Sequence, residues 1–378
     1  MNAERLHAIV TALRQELAQR NMVSNLTTLV SALRNMSSQP ANPSYQQTLV
    51  GSRETLRNAL SDAPSDAFSP TWRQVLGDIG GGSFFGRNLL DTIEETINEN
   101  QMTPTVALQR LESIQSGLQT FSKALDSAAT AFSAFEIGSE ELAPGECEIG
   151  ILIPRQAVNN KLREYVEELG EIEFILRTLT ELATGGVEDL EIRTVSSSDL
   201  MLFLSAHPRL GAVMARVIDF IVTQYKKILD IKKVQREIER LELPEDISEK
   251  TKNHANNLME AEIDKFTIEI MTEYESVSDD GHRRNELKNA VTICLNTIAN
   301  RIDRGFNFEV RVEPPAPTDA NADIQNAVQT IRAASVSMQF MKVEGPPILA
   351  LTEKTETAAE EDRKEKKRTK PRKGEPKE

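Results

Sequence analysis

From Pro208 to Glu275 a helical-period apolar pattern is interrupted by one internal proline, Pro244. Before it, Val217, Ile221, Ile228, Ile231 and Ile238 form a heptad-like seam broken by Gln224 and Gln235. Beyond it, Ile247, Leu258, Ile263, Phe266, Ile270 and Tyr274 continue the pattern. At about 1.5 Å of rise per residue, each arm is about 45–50 Å long. Two arms of that length joined by a short turn bury their stripes by folding back on one another, so the pattern predicts a helical hairpin over 208–275.

The N-terminal part is helical by the same test. Leu6, Ile9, Val10, Leu13 and Leu17 recur at helical spacing, and Leu26, Leu29, Val30 and Leu33 follow a break near Asn21. Further helices are expected through Leu49–Leu60, Leu89–Ile97 and Val106–Leu125, punctuated by loops rich in Pro, Ser and Asn. Residues 1–137 are therefore expected to form a helical bundle. A linker at 138–145 leads to an α+β domain over 146–350 that contains the hairpin. In it "CEIGILIP" reads as a strand, a helix runs from Val158 to Thr184, "VEDLEIRTV" reads as a second strand, and "GFNFEVRVEPP" alternates as a half-exposed one. Ser198 or Asp199 is expected to cap the next helix. The fold class is mainly α with a minor α+β part.

The net charge of −14 is unevenly spread. Residues 363–378 carry nine Lys or Arg against three Glu, a net +6, which leaves about −20 on the remainder. From about Leu351 the chain is polar and charged, and reads as a disordered tail over 351–378. Lys366, Lys367, Arg368, Lys370, Arg372 and Lys373 are its candidate contacts to nucleic acid or an acidic partner.

The most suggestive local motif is "GDIGGGSFFGRNLLDTIEE". Gly81 and Gly86 have the spacing of a phosphate loop, but Arg87 and Asn88 stand where that loop needs Lys and a magnesium-binding hydroxyl. Gly81, Gly86 and Arg87 are weak candidates for a phosphate or nucleotide site, and a hinge anchored by Phe84 and Phe85 is the simpler reading. His7, His207, His254 and His282 have no partner at metal-ligand spacing, and His207 near Ser198 and Asp199 is explained by a turn and a cap. No metal or cofactor is expected.

"LMLFLSAHPRLGAVMARVIDFIVTQYKK" (Leu200–Lys227) is the most apolar region. It reads as a buried helix of the core, as an oligomer interface, or as a membrane-active segment. Stable insertion is disfavoured by the cost of Arg209, Arg216 and Asp219 in lipid. Two distant cysteines, Cys147 and Cys294, suit free thiols in a reducing compartment. The first 20 residues lack the apolar core of a secretory signal, and the cytoplasm is the expected location. The expected activity is non-enzymatic: self-association or docking of a protein partner through long amphipathic helices, with the seam 217–238 as interface. A membrane-active effector using 200–225 and a phosphate-dependent enzyme at 80–87 are the alternatives.

Overall fold

The computed structural model describes residues 3–187, 189–196, 200–241, 244–274, 281–316, 321–338 and 340–353. Among them the chain is mainly helical, with a small four-stranded antiparallel sheet. It divides into two compact units, each discontinuous in sequence. The first comprises Met1–Gly150, Ile192–Gly211 and Glu309–Phe340; the second comprises Ile151–Glu191, Ala212–Phe308 and the chain from Met341 on. The expected linker at 138–145 lies inside the first unit.

The bundle of the first unit contains α1 (Ala3–Gln19), α2 (Met22–Ser38), α3 (Pro43–Leu60), α4 (Pro70–Asp78), α5 (Gly86–Glu99) and α6 (Pro104–Ala134). Local chemistry sets the ends. Asn21, in the left-handed region at φ 49°, separates α1 from α2. Proline occupies the first turn of α3, α4 and α6, where its missing N–H is harmless. The Asn42 side chain accepts from the Ser44 amide and that of Ser69 from the Trp72 amide. Leu13, Leu26, Leu29, Leu89 and Leu111 form the middle of an aliphatic core. The segment "RQVLGDI", open to a strand reading, is part of α4 and the turn after it, because Ser69 and Pro70 start a helix there.

The remaining elements are β1 (Cys147–Ile153), α7 (Leu162–Thr184), β2 (Ile192–Ser196), β3 (Leu200–Ala206), α8 (Pro208–Arg240), α9 (Glu245–Glu273), α10 (Gly281–Asp303), β4 (Asn307–Val312) and α11 (Ala322–Ser337). The sheet order is β2-β3-β1-β4. β2 and β3 pair antiparallel, with Val195 opposite Leu202 and Ser196 opposite Met201. Leu200–Ala206, read from sequence as helix, is thus a strand. A continuous apolar run of this length has no period to distinguish the two, and pairing with β2 decides it. The expected cap at Ser198 or Asp199 lies outside the described residues.

In the first unit a network of charges is centred on a buried carboxylate. Glu148 of β1 is 1% exposed and accepts two hydrogen bonds from Arg5 of α1, at 2.9 and 2.8 Å. Arg311 and Arg193 approach the same carboxylate at 3.4 and 3.7 Å. Arg5 also pairs with Glu140 at 2.9 Å and lies 3.4 Å over the Phe203 ring, while Arg311 lies 4.7 Å over Trp72. Glu309, which strand alternation places toward solvent, is instead 1% exposed and accepts from the Thr71 amide at 2.8 Å. Gly150 makes room for it, since a Cβ there would stand 2.7 Å from the Glu309 side chain and 3.0 Å from Phe203.

Removing one member of such a network leaves the others buried and unpaired. Arg5→Ala is expected to lower the free energy of unfolding by about 3–5 kcal/mol in urea denaturation. Burial pushes the Glu309 carboxyl above the usual range, against the hydrogen bonds from Thr71 and with the charge of Glu148 adding to the rise. The folded chain therefore holds this proton more tightly than the unfolded chain. The associated stability is present at low pH and falls as pH rises from the ordinary carboxylate range through the raised value. Glu309→Gln is expected to flatten that fall when stability is measured between about pH 4 and about pH 8.

Candidate functional site

The hairpin is present: α8 has 33 residues and α9 has 29, about 50 and 44 Å. In the second unit α8, α9 and α10 pack through aliphatic stripes that include Val217, Ile221 and Ile228 of α8, Ile263 and Ile270 of α9, and Val291 and Ile298 of α10. Phe220 stacks on Phe266 at 4.0 Å between centroids and joins the two arms. Gln235 donates to Ser248 across the hairpin at 2.5 Å, and Glu245 and Asp246 complement the N-terminal dipole of α9.

A polar constellation lies within this apolar packing. Lys232 is 1% exposed, Tyr225 0% and Asp303 1%. Lys232 Nζ donates to Asp303 Oδ1 at 2.6 Å, and the Tyr225 hydroxyl donates to the same oxygen at 2.5 Å. Burial, and then the Asp303 charge, push the Tyr225 phenol up, so it stays a proton donor. The other oxygen, Oδ2, accepts the backbone amides of Ile348 and Leu349 at 2.5 and 2.7 Å. Every strong acceptor position of Asp303 is thereby used inside the chain, which suits a structural clamp better than a general base.

Those amides belong to a strap, Ile348–Glu353, seated on side chains of α9 and α10. Asn256 of α9 accepts from the Ala350 amide at 2.7 Å. Asn300 of α10 accepts from the Leu351 amide and donates to its carbonyl, both at 3.0 Å, and Asn296 donates to the Thr352 carbonyl at 2.9 Å. Leu351 is 4% exposed, so the chain expected to be disordered from this residue is instead placed through Glu353. The sequence signal was available: Asn296, Asn300 and Asp303 fall at i, i+4 and i+7 on one face of α10.

Toward the turn of the hairpin, α8 and α9 leave an open groove of about 360 Å³ lined by Ile231, Val234, Ile247, Lys250, Thr251 and His254. Val234 is 55% exposed and Ile247 39%. A second groove, of about 440 Å³ between α7 and α10, is lined by charges that pair with each other, including Arg283 with Glu181 at 2.7 Å.

The residues singled out from sequence fall as follows. Within the seam, Val217, Ile221, Ile228 and Ile238 are buried in the chain's own packing, and Ile231 alone reaches the open groove. A charge at Ile221 or Ile228 would therefore disrupt the fold itself. Gly81 is buried, and a Cβ on it would collide with Leu76 and Phe121. Phe84 and Phe85 both rest on Phe121, as anchors of a hinge would. Gly86 opens α5 at φ 53°, and the Asp66 carboxylate accepts the Arg87 amide at 2.8 Å. The anion position at this helix start is filled by a side chain of the protein, while Arg87 itself is exposed. His207 accepts from the Arg209 amide at 3.2 Å, a cap on α8.

The segment 200–225 is split between β3 and α8, and most of its apolar side chains are buried. No helix of the described residues is long and apolar enough to cross a membrane. The basic residues Lys366, Lys367, Arg368, Lys370, Arg372 and Lys373 lie outside the described residues. Among the described residues no group of His, Cys, Asp and Glu is arranged to hold a metal ion. Comparison of the chain with protein-family models, with curated proteins and with solved structures gave no match.

Lys232→Met removes the cation from the Asp303 clamp and leaves a buried carboxylate. It is expected to cost about 3–5 kcal/mol in stability, measured by chemical denaturation.

Proposed function

We propose that the chain is a non-enzymatic, cytoplasmic interaction protein that self-associates or docks a protein partner through its long helices. The observation that carries this reading is the apolar groove near the turn of the α8–α9 hairpin, where Val234 and Ile247 stand exposed beside Ile231. Aliphatic side chains held open to water on two rigid helices gain free energy when covered, at about 25 cal/mol per Å² of apolar surface. Lys250 and His254 on the rim give the contact polarity and direction.

The buried polar groups of α8 and α10 suit docking rather than chemistry, because Tyr225, Lys232 and Asp303 satisfy one another. Both cysteines are buried and unpaired, and burial pushes the Cys294 thiol up to about 12, which suits inert thiols in a reducing compartment. The basic tail adds a salt-sensitive contact for an acidic partner or nucleic acid.

Light scattering after size-exclusion chromatography tests the reading. The intact chain is expected to elute as a dimer or larger species, and Val234→Asp with Ile247→Asp to give a monomer of unchanged helicity. An intact chain that is monomeric, and that retains the same bound proteins as the double variant in affinity capture, would refute the groove as the docking surface.

A further inference from the structure

The strap is held in a way that has the makings of peptide recognition. The four successive amides of Ile348, Leu349, Ala350 and Leu351 each donate to a side-chain acceptor on α9 or α10, namely Asp303 twice, Asn256 and Asn300. Asn256 and Asn300 read the backbone as a β-strand neighbour does, each with its oxygen on one amide and its nitrogen on one carbonyl. Main-chain contacts of this kind accept any extended segment, and selectivity then comes from the side chains.

Here the side chains are specific. Ile348, Leu349 and Leu351 are 3%, 7% and 4% exposed, whereas Ala350 and Thr352 face solvent. Glu353 accepts from Arg301 at 2.5 Å and from Asn300 at 2.7 Å, so the seat ends on a cation. Its pattern is aliphatic, aliphatic, any, aliphatic, any, acidic.

The strap contributes no rung to any helix or sheet. The connector before it is non-helical, with Glu344, Gly345, Pro346 and Pro347 exposed. Its anchor to α8 is the ion pair of Glu344 with Arg236, at 3.0 Å between side chains 77% and 39% exposed, which is worth little in water. Release of the strap breaks its main-chain hydrogen bonds to the side chains of Asp303, Asn256, Asn296 and Asn300 and leaves the backbone bonding within α8, α9 and α10 intact, and a second extended segment would restore the same bonds.

We propose that the α9–α10 face is a receptor for an extended peptide of this pattern on a partner protein, with residues 348–353 as its intramolecular competitor. The inference rests on the reading of the chain as a docking protein, but it concerns a different surface from the hairpin groove, so either can fail alone. A tethered competitor acts at an effective concentration on the order of millimolar, so the seat is closed until a better peptide arrives or the strap is weakened.

The probe is a fluorescent peptide with the sequence of residues 344–355, added to the full chain and followed by anisotropy. Full-length Ile348→Asp with Leu351→Asp is expected to bind it saturably and at least about tenfold tighter than the unaltered chain, where the strap competes. A probe with its own Leu351→Asp change is expected not to bind, and Asn300→Ala in the strap variant to weaken binding at least about tenfold. A folded strap variant that ignores the probe, or binds the Asp-bearing probe equally well, overturns the proposal. Hydrogen exchange on the unaltered chain gives a test that does not depend on the variant folding. The amides of Ile348–Leu351 are expected to exchange at least about tenfold faster than those of Leu295–Ile302. Exchange of both only by global unfolding would show the strap to be a fixed part of the core. A dimer of the unaltered chain that the strap variant loses would put a second copy's strap in the seat and overturn the assignment to a partner protein.

Discussion

The carboxylate of Asp303 collects four donors in a site that is 1% exposed: the Lys232 ammonium, the Tyr225 hydroxyl and the amides of Ile348 and Leu349. A charge in that position is tolerable only when its lone pairs are filled and an opposite charge lies beside it. Meeting that demand fixes three things together. It sets the register of α8 against the end of α10, it holds a lysine within an aliphatic interface, and it gives the strap at Ile348 and Leu349 a place to lie. Long helices such as α8 and α10 can slide by a turn against each other on aliphatic contacts alone. The buried Lys232–Asp303 pair admits one alignment of α8 on α10, and registry is the best attested use of buried polar groups in long helical packings.

The first unit uses the same device at its sheet. Glu148 projects from β1, and the cations that answer it come from α1, β2 and β4, while Glu309 of β4 is buried on the Thr71 amide. Arg5 lies over Phe203 and Arg311 over Trp72, so the guanidinium planes also fill volume that apolar side chains would otherwise occupy. In both units the specificity of packing comes from a few charges, because a core made largely of Leu, Ile, Val and Ala offers many near-equivalent arrangements. The two surfaces proposed for a partner differ in this respect: the groove at Val234 and Ile247 lacks such a charge, whereas the seat of the strap includes Asp303 itself.

Much of the fold was legible. The break at Asn21, the helix start at Pro104, the turn at Pro244 and the two long arms all follow from local periodicity and end signals. The candidate sites were less so. The heptad-like seam marked a face of α8 that the chain's own packing covers at Val217, Ile221, Ile228 and Ile238: periodicity reports which face is buried, not whether the covering partner is the same chain. The glycine run leads into a helix start whose first free amide is taken by Asp66, a residue about twenty positions away that no local motif includes.

By itself the sequence determined helix lengths, most helix ends and the contrast between an acidic body and a basic tail, since these depend on residues within a turn or two of each other and on composition. Only the tertiary structure decided that Leu200–Ala206 is a strand, that Glu148, Glu309, Lys232 and Asp303 are buried, and that the chain from Ile348 to Glu353 is seated. Each of those outcomes turns on a partner far along the chain. A charged residue reads as solvent-facing until its counter-charge is found, and an apolar run reads as helix or strand alike until a neighbour supplies its hydrogen bonds.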